Sequence, residues 1–284
     1  MQIKDKPNGE CTNSQEDSLL EIHGYDEMPP FFMTLISRDN LWAFISSRGS
    51  LTAGRESAEK SIFPYVTVDE IHDNYGTTGP RTMIRLKGND LWEPFTPHAA
   101  KEPDIKRTLS KGILGNSICF EERRVREGLS FCYRWQPAGR FGLARTACLE
   151  NCSNQAIKLS ILDGIANILP PGLDPRMQAN SSVLTDAYKQ SELQSKSRMA
   201  LYSTASGITD RPEPMENLRA NCAWSYGLDE AVVNLATKAP DAMIQAKAIN
   251  PCILNCGQRG AYWLHGDVTV EPGQKKVDFD KALK

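Results

Sequence analysis

The stretch from Ile113 to Leu162 constrains the fold of this chain more than any other part of it. Strand-type residues run from Ile113 to Arg124, a Glu127-Gly128 pair follows, and a second run spans Leu129 to Trp135. Pro137-Ala138-Gly139 breaks the pattern before Phe141 to Glu150, and Asn151-Cys152-Ser153-Asn154-Gln155 leads into Ala156 to Leu162. Parallel neighbours need a long crossover between them, so short apolar runs joined by tight turn residues read as antiparallel hairpins. Four such strands in succession predict a meander.

The same punctuation recurs elsewhere. Phe31 to Ser37 and Leu41 to Ile45 flank an Arg38-Asp39-Asn40 turn, with Ser47-Arg48-Gly49 closing the second run. Thr82 to Leu86 ends at Gly88-Asn89-Asp90, and Arg198 to Thr204, Ala220 to Tyr226, Ala242 to Ile249 and Gly260 to Val270 are further expected strands. Between Met177 and Ser195 the apolar residues thin out, leaving room for one short helix or a long excursion. Strands never alternate with helical patterns, which disfavours doubly wound and barrel α/β architectures. The expectation is an all-β fold, a large antiparallel two-sheet sandwich with at most one or two short helices. Residues 1–18 read as a polar tail, and 19–284 as a single sandwich domain in a chain of 284 residues.

Charge and composition narrow the function classes. The formal net charge is −2, and the densest basic run, Arg123-Arg124-Val125-Arg126, is neutralised by Glu121-Glu122 before it. Nucleic-acid binders concentrate basic charge on one face, so no nucleic-acid partner is expected. The apolar runs fall far short of the ~20 residues a membrane helix needs. The N-terminus carries no apolar segment of the secretory kind, which points to a cytoplasmic protein. Eight cysteines are present, several inside apolar alternation, and they are expected to be mostly reduced and buried. Cys148 and Cys152, and Cys252 and Cys256, share a C-x-x-x-C spacing. Extended residues four apart lie ~13 Å from each other, so neither pair predicts a chelate, and no metal or cofactor is expected.

The segment from Ser61 to Pro80 holds the densest set of chemistry-bearing residues: Tyr65, Asp69, Glu70, His72, Asp73 and Tyr75. Aromatic rings cover the apolar C–H faces of a sugar while carboxylates accept its hydroxyl hydrogens, so Tyr65, Asp69, His72, Asp73 and Tyr75 are candidate carbohydrate contacts. The same residues also serve as ordinary loop and turn chemistry. Acid–base work would fall to His72 and His98 with Glu70 or Glu93. His72 and Asp73 are sequence neighbours, and on an extended segment their side chains point apart. His265, in Tyr-Trp-Leu-His265-Gly, is placed to line a concave sheet face.

Leu41-Trp-Ala-Phe-Ile-Ser-Ser-Arg-Gly-Ser-Leu-Thr-Ala-Gly-Arg55, with Phe63-Pro-Tyr65 and Ile71-His-Asp73, resembles the N-terminal β-sandwich domain of cellobiose phosphorylases and allied glycoside hydrolases. Arg145 to Asn151, continuing through Leu159-Ser-Ile-Leu-Asp-Gly-Ile165, is similar to the central hairpin of that domain, and Gly260 to Gly273 to its closing strand pair. The resemblance implies a supersandwich of the galactose-mutarotase-like class. It also implies that the catalytic acid sits on a helical barrel following the sandwich, so that this chain alone is not catalytic. The implied partners are carbohydrate and either a helical-barrel catalytic domain or a second copy in a homodimer. Two other functions stay open at this point: a self-sufficient aldose epimerase using His and Glu, and a purely structural docking module.

Overall fold

A computed structural model describes residues 19–87, 90–97, 104–208, 217–277 and 280–283, with backbone alone for 276–277 and 280–283. The expected tail at 1–18, the Gly88-Asn89 part of one turn, His98, most of the loop between Gly207 and Asn217, and Asp278-Phe279 lie outside the described residues.

In chain order the strands are β1 (Leu19–His23), β2 (Phe32–Leu35), β3 (Leu41–Ser46), β4 (Leu51–Arg55), β5 (Gly79–Arg85), β6 (Leu91–Trp92), β7 (Ile105–Gly112), β8 (Ile118–Arg124), β9 (Leu129–Pro137) and β10 (Leu143–Asn151). They continue as β11 (Ile157–Ile168), β12 (Lys189–Gln194), β13 (Met199–Thr204), β14 (Asn221–Tyr226), β15 (Val232–Asn234), β16 (Leu254–Cys256), β17 (Gly260–Val270), β18 (Lys275–Val277) and β19 (Asp280–Leu283). Among the described residues, three short α-helices accompany them: α1 (Pro175–Asn180), α2 (Ser182–Tyr188) and α3 (Ala239–Ile244). The protein is therefore an all-β, antiparallel sandwich. Among the described residues, a large sheet runs β1-β7-β8-β9-β10-β19-β14-β13-β12-β16, with β18 also on β10. A five-stranded sheet, β15-β17-β11-β5-β6, packs against it, and β2-β3-β4 forms a third, small sheet.

Alternation explains the layering. On β10 every second residue is buried, from Leu143 through Asn151, and these side chains meet those of β11 across the interior. In contrast, β11 and β17 are buried on both faces. Leu159, Ile161 and Ile165 face the large sheet, whereas Leu162 packs with Met83, Trp263 and the α3 residues Ala239 and Met243 on the other side. Gly164 is small because the Trp263 ring lies across it. A strand covered on both sides reads as a continuous apolar run.

Four expectations need correction. The fourth strand of the predicted meander, β11, leaves the large sheet and joins the five-stranded one, pairing with β5 and β17. Residues 151–155 are thus an arch between sheets, held by Asn151, whose Nδ2 donates to the carbonyls of Gln155 (2.7 Å) and Val270 (2.8 Å). Turn residues mark where a chain reverses but not whether its strands end up side by side. Second, the run expected from Ile113 begins with a turn, in which Gly112 N bonds Ser117 O, and the strand before it is β7. Third, Ala242 to Ile249 is not a strand: α3 ends at Ile244 and covers the outer face of the small core. Fourth, the region from Met177 folds into α1's end, α2 and then β12, which inserts into the large sheet. Asp174 caps α1 by accepting from the N–H groups of Arg176 and Met177.

No helix of the described residues is long and apolar enough to cross a membrane. The seven described cysteines are reduced, but none is fully buried, because most lie on the solvent side of their strands; Cys11 lies outside the described residues.

Candidate functional site

The segment after β4 is strapped across the small sheet. Ser61 bridges Gly54, Ile62 N bonds Ala53 O (2.8 Å), and Thr52 Oγ1 donates to Pro64 O (2.9 Å). Further along, Ser50 Oγ donates to the Ile71 carbonyl, and His72 Nδ1 shares a 2.7 Å hydrogen bond with Ser46 Oγ. The strap turns at Ile71–Asn74, with Ile71 buried and Asp69, Glu70 and Asp73 exposed. These anchors separate the sequence-predicted candidates into three places.

Tyr65 stands at the outer end of a row of aromatic rings. It meets Trp42 edge to face (5.9 Å between centroids, 82°), Trp42 lies 6.3 Å from Phe44, and Phe44 lies 6.3 Å from Phe32 on β2. All three strand residues occupy the solvent phase of β2 and β3, while Met33, Leu35, Leu41, Ala43 and Ile45 fill the core phase. Trp42 pairs with Gly54, where a Cβ would sit 2.5 Å from its Cζ2, so the glycine lets the indole lie over β4. Phe32 and Tyr65 keep 45% and 46% of their surface exposed, although large aromatic side chains ordinarily bury theirs. Tyr65 is among the contacts expected from the sequence, whereas Phe32, Trp42 and Phe44 are not. The signal was there: in β3 both phases are apolar, one aliphatic and one aromatic, and only one phase can face the core.

Tyr75 and Glu93 lie in the same neighbourhood, a second place. Glu93 is clasped by Arg81 through Nε (2.7 Å) and a longer contact from a terminal nitrogen (3.4 Å). Burial, then the Glu93 carboxylate, raises the Tyr75 phenol far above its ordinary value. Tyr75 and Arg81 border a cleft also lined by Arg48, Thr82, Phe95 and Tyr133, whose volume is about 20 Å³. Such a space admits about one water molecule and no pyranose.

Two buried ion pairs lie between the sheets. Arg145 of β10 bonds both carboxylate oxygens of Asp163 on β11 (2.8 and 2.9 Å) and stacks 4.7 Å over the Tyr133 ring. Glu122 accepts from Trp92 Nε1 (2.6 Å), Phe95 N (2.6 Å) and Arg107 Nε (2.8 Å). Arg107 in turn donates to the Thr96 carbonyl (2.6 Å). None of these four ionic residues is among the site residues expected from the sequence.

His72 occupies the third place, bonded to Ser46 and not to a carboxylate of the candidate set. Its partner sits on β3 and that of Glu93 on β5, strands of different sheets. His265 falls on the same phase of β17 as Ala261 and Trp263, the face turned away from the large sheet, where burial lowers its pKa against the pull of Asp267. A wider depression of about 770 Å³, bordered by Arg55, Lys60, Asp174, Arg219 and Asn221, opens beyond β4. Its charges are of mixed sign, and Arg55 is already engaged with the carbonyls of Asp39 and Gly139.

No family model matches the sequence, and no curated protein sequence does either. Among solved structures, the chain is similar to a candidate aldose 1-epimerase from Escherichia coli K12, at 10% identity and TM-score 0.40, covering 90% of this chain and 99% of that one. It is similar to a galactose mutarotase-like protein from Lactobacillus casei ATCC 334, at 9% identity and TM-score 0.41, covering 89% and 99%. A polysaccharide lyase gives 13% identity and TM-score 0.42, covering 89% of this chain and 32% of the lyase. Likeness at this level assigns neither family nor activity.

Proposed function

We propose that this chain is a carbohydrate-binding, non-catalytic sandwich domain that serves a glycoside phosphorylase- or hydrolase-type catalytic domain. The observation that carries the reading is the solvent-facing row Phe32–Phe44–Trp42–Tyr65. Exposed apolar patches on folded proteins mark interaction sites. Rings of this kind offer their faces to the C–H surfaces of a sugar, while the Tyr65 hydroxyl remains a polar handle. Asp69, Glu70 and Asp73 on the same strap are exposed and supply hydrogen-bond acceptors for sugar hydroxyls.

The separation of His72 from Glu93 supports binding over epimerisation. An epimerase needs an acid and a base on either side of one sugar carbon. In the His72–Glu93 pair the histidine is committed to Ser46 and the glutamate to Arg81 beside a one-water cleft, whereas His98 lies outside the described residues.

Titration with gluco-oligosaccharides, followed by tryptophan fluorescence and calorimetry, tests the reading. Saturable binding that Trp42→Ala and Tyr65→Ala abolish is the expected result. Binding that survives both substitutions, or none to any glycan on an array, overturns it. Accelerated mutarotation of freshly dissolved hexose would favour the epimerase instead.

A further inference from the structure

The outer face of the large sheet carries a ladder of thiols that the proposed sugar site does not use. Cys119 lies on β8, Cys132 on β9 and Cys148 on β10, all on the phase opposite the buried Phe120, Phe131, Tyr133 and Ala147. Cys132 and Cys148 are register partners across the β9–β10 pair. Cys119 pairs with Arg134, which leaves it diagonal to Cys132. Both neighbouring thiols, Cys119 and Cys148, act on the Cys132 thiol electrostatically.

We propose that Cys132 and Cys148 are a redox couple, which hydrogen peroxide closes into a cross-strand disulfide on the solvent side of the sheet. Register separates the two possible pairings. Directly opposite residues in antiparallel strands have Cα atoms ~4.5–5.5 Å apart, inside the ~4.4–6.8 Å span of disulfides. Diagonal neighbours lie ~7–8 Å apart, at or beyond the ~7 Å limit for bridging without backbone movement. Cys119 is therefore a diagonal neighbour of Cys132 and not its covalent partner.

The chemistry balances with peroxide as the two-electron oxidant. Cys132 sulfur attacks one peroxide oxygen, the O–O bond breaks, and the thiol proton leaves with the departing hydroxide as water. The Cys148 sulfur then attacks the sulfenic acid sulfur, the S–O bond breaks, and a second water departs carrying the Cys148 proton. Two thiols have become one disulfide and one peroxide two waters.

The surroundings make the couple slow. At Cys132 the neighbouring Cys119 thiol lowers the pKa, but Cys148, burial and the facing Glu121 carboxylate outweigh it and push the value up to about 12. The Cys119 thiol is raised by Cys132 and by burial, against the pull of Arg134. Little thiolate exists at neutral pH, so sustained oxidant rather than a brief pulse closes the bridge.

The test is peptide mapping of the full chain after prolonged peroxide treatment, alkylation of remaining thiols and tryptic digestion without reduction. Trypsin places Cys119 in peptide 112–123, Cys132 in 127–134, and Cys148 with Cys152 in 146–158. The expected main product links 127–134 to 146–158, lighter by two hydrogens, with fragment ions locating the bond at Cys148; dithiothreitol reverses it. Cys119→Ser keeps the link, and Cys148→Ser removes it. A main link from 112–123 to 127–134, a bond at Cys152, or only over-oxidised unlinked cysteines would overturn the proposal, and the wild-type chain alone suffices to show any of these.

Discussion

Two regions of this molecule are rich in aromatic and charged side chains, and they use them in opposite ways. Between the sheets, Arg145, Asp163, Arg107 and Glu122 are removed from water and bonded to one another, to backbone groups and to Trp92. On the small sheet, Phe32, Trp42, Phe44 and Tyr65 touch each other but keep ring surface in solvent. The first region has almost no unused capacity and no room for a ligand; the second has little internal bonding and an open face. Functional residue types alone do not locate a site. Accessible, uncommitted surface does.

That contrast breaks most visibly in the core. Arg145→Met removes the cation facing the buried Asp163 carboxylate, which keeps its hydrogen bond from Thr82, and the expected cost is about 3–5 kcal/mol by urea unfolding. The double replacement Arg145→Met with Asp163→Leu should recover most of that loss, which a simple cavity effect would not do. Glu122→Gln removes the charge facing Arg107 while keeping side-chain shape, and should cost about 1.5–3 kcal/mol in the same measurement. At the small sheet the pattern inverts. Tyr65→Ala should change stability by no more than about 0.5 kcal/mol, yet weaken oligosaccharide binding about tenfold or more, worth about 1.4 kcal/mol.

The smallest expected effect lies on neither surface, and its sign sharpens the distinction. Burial holds the His265 pKa below its ordinary value. The unfolded chain therefore takes up the proton first, and stability conferred by the neutral ring is full above about pH 6.5. It declines as pH falls from there toward the lower folded value. His265→Gln should flatten that part of the stability–pH curve without touching sugar binding.

Much of the fold was legible in the sequence, since period-2 alternation and turn residues located β8 to β10, β13, β14 and β17. What stayed hidden is tertiary. The Asn151 arch carries the same turn chemistry as a hairpin, and only packing decides that β11 joins the opposite sheet. In α3, Ala242, Met243 and Ile244 gave a short apolar run whose length suits a strand as well as a helix turn. For the site, Tyr65 was visible because it stands among carboxylates, whereas Trp42 and Phe44 were absorbed into a strand that looked like core. Arg145 and Asp163 lie 18 residues apart on facing sheets, and no spacing rule joins them.

The central position of the last strands has a consequence during synthesis. β10 is completed by β18 and β19, and β19 also supplies the neighbour of β14. About 120 residues separate the end of β10 from β18, so at about 5–20 residues per second its open edge waits on the order of 6–25 s on the ribosome. Unpaired edges template association with other chains. The nascent protein thus passes through a window in which crowding among neighbouring ribosomes, or a chaperone holding that edge, decides its yield.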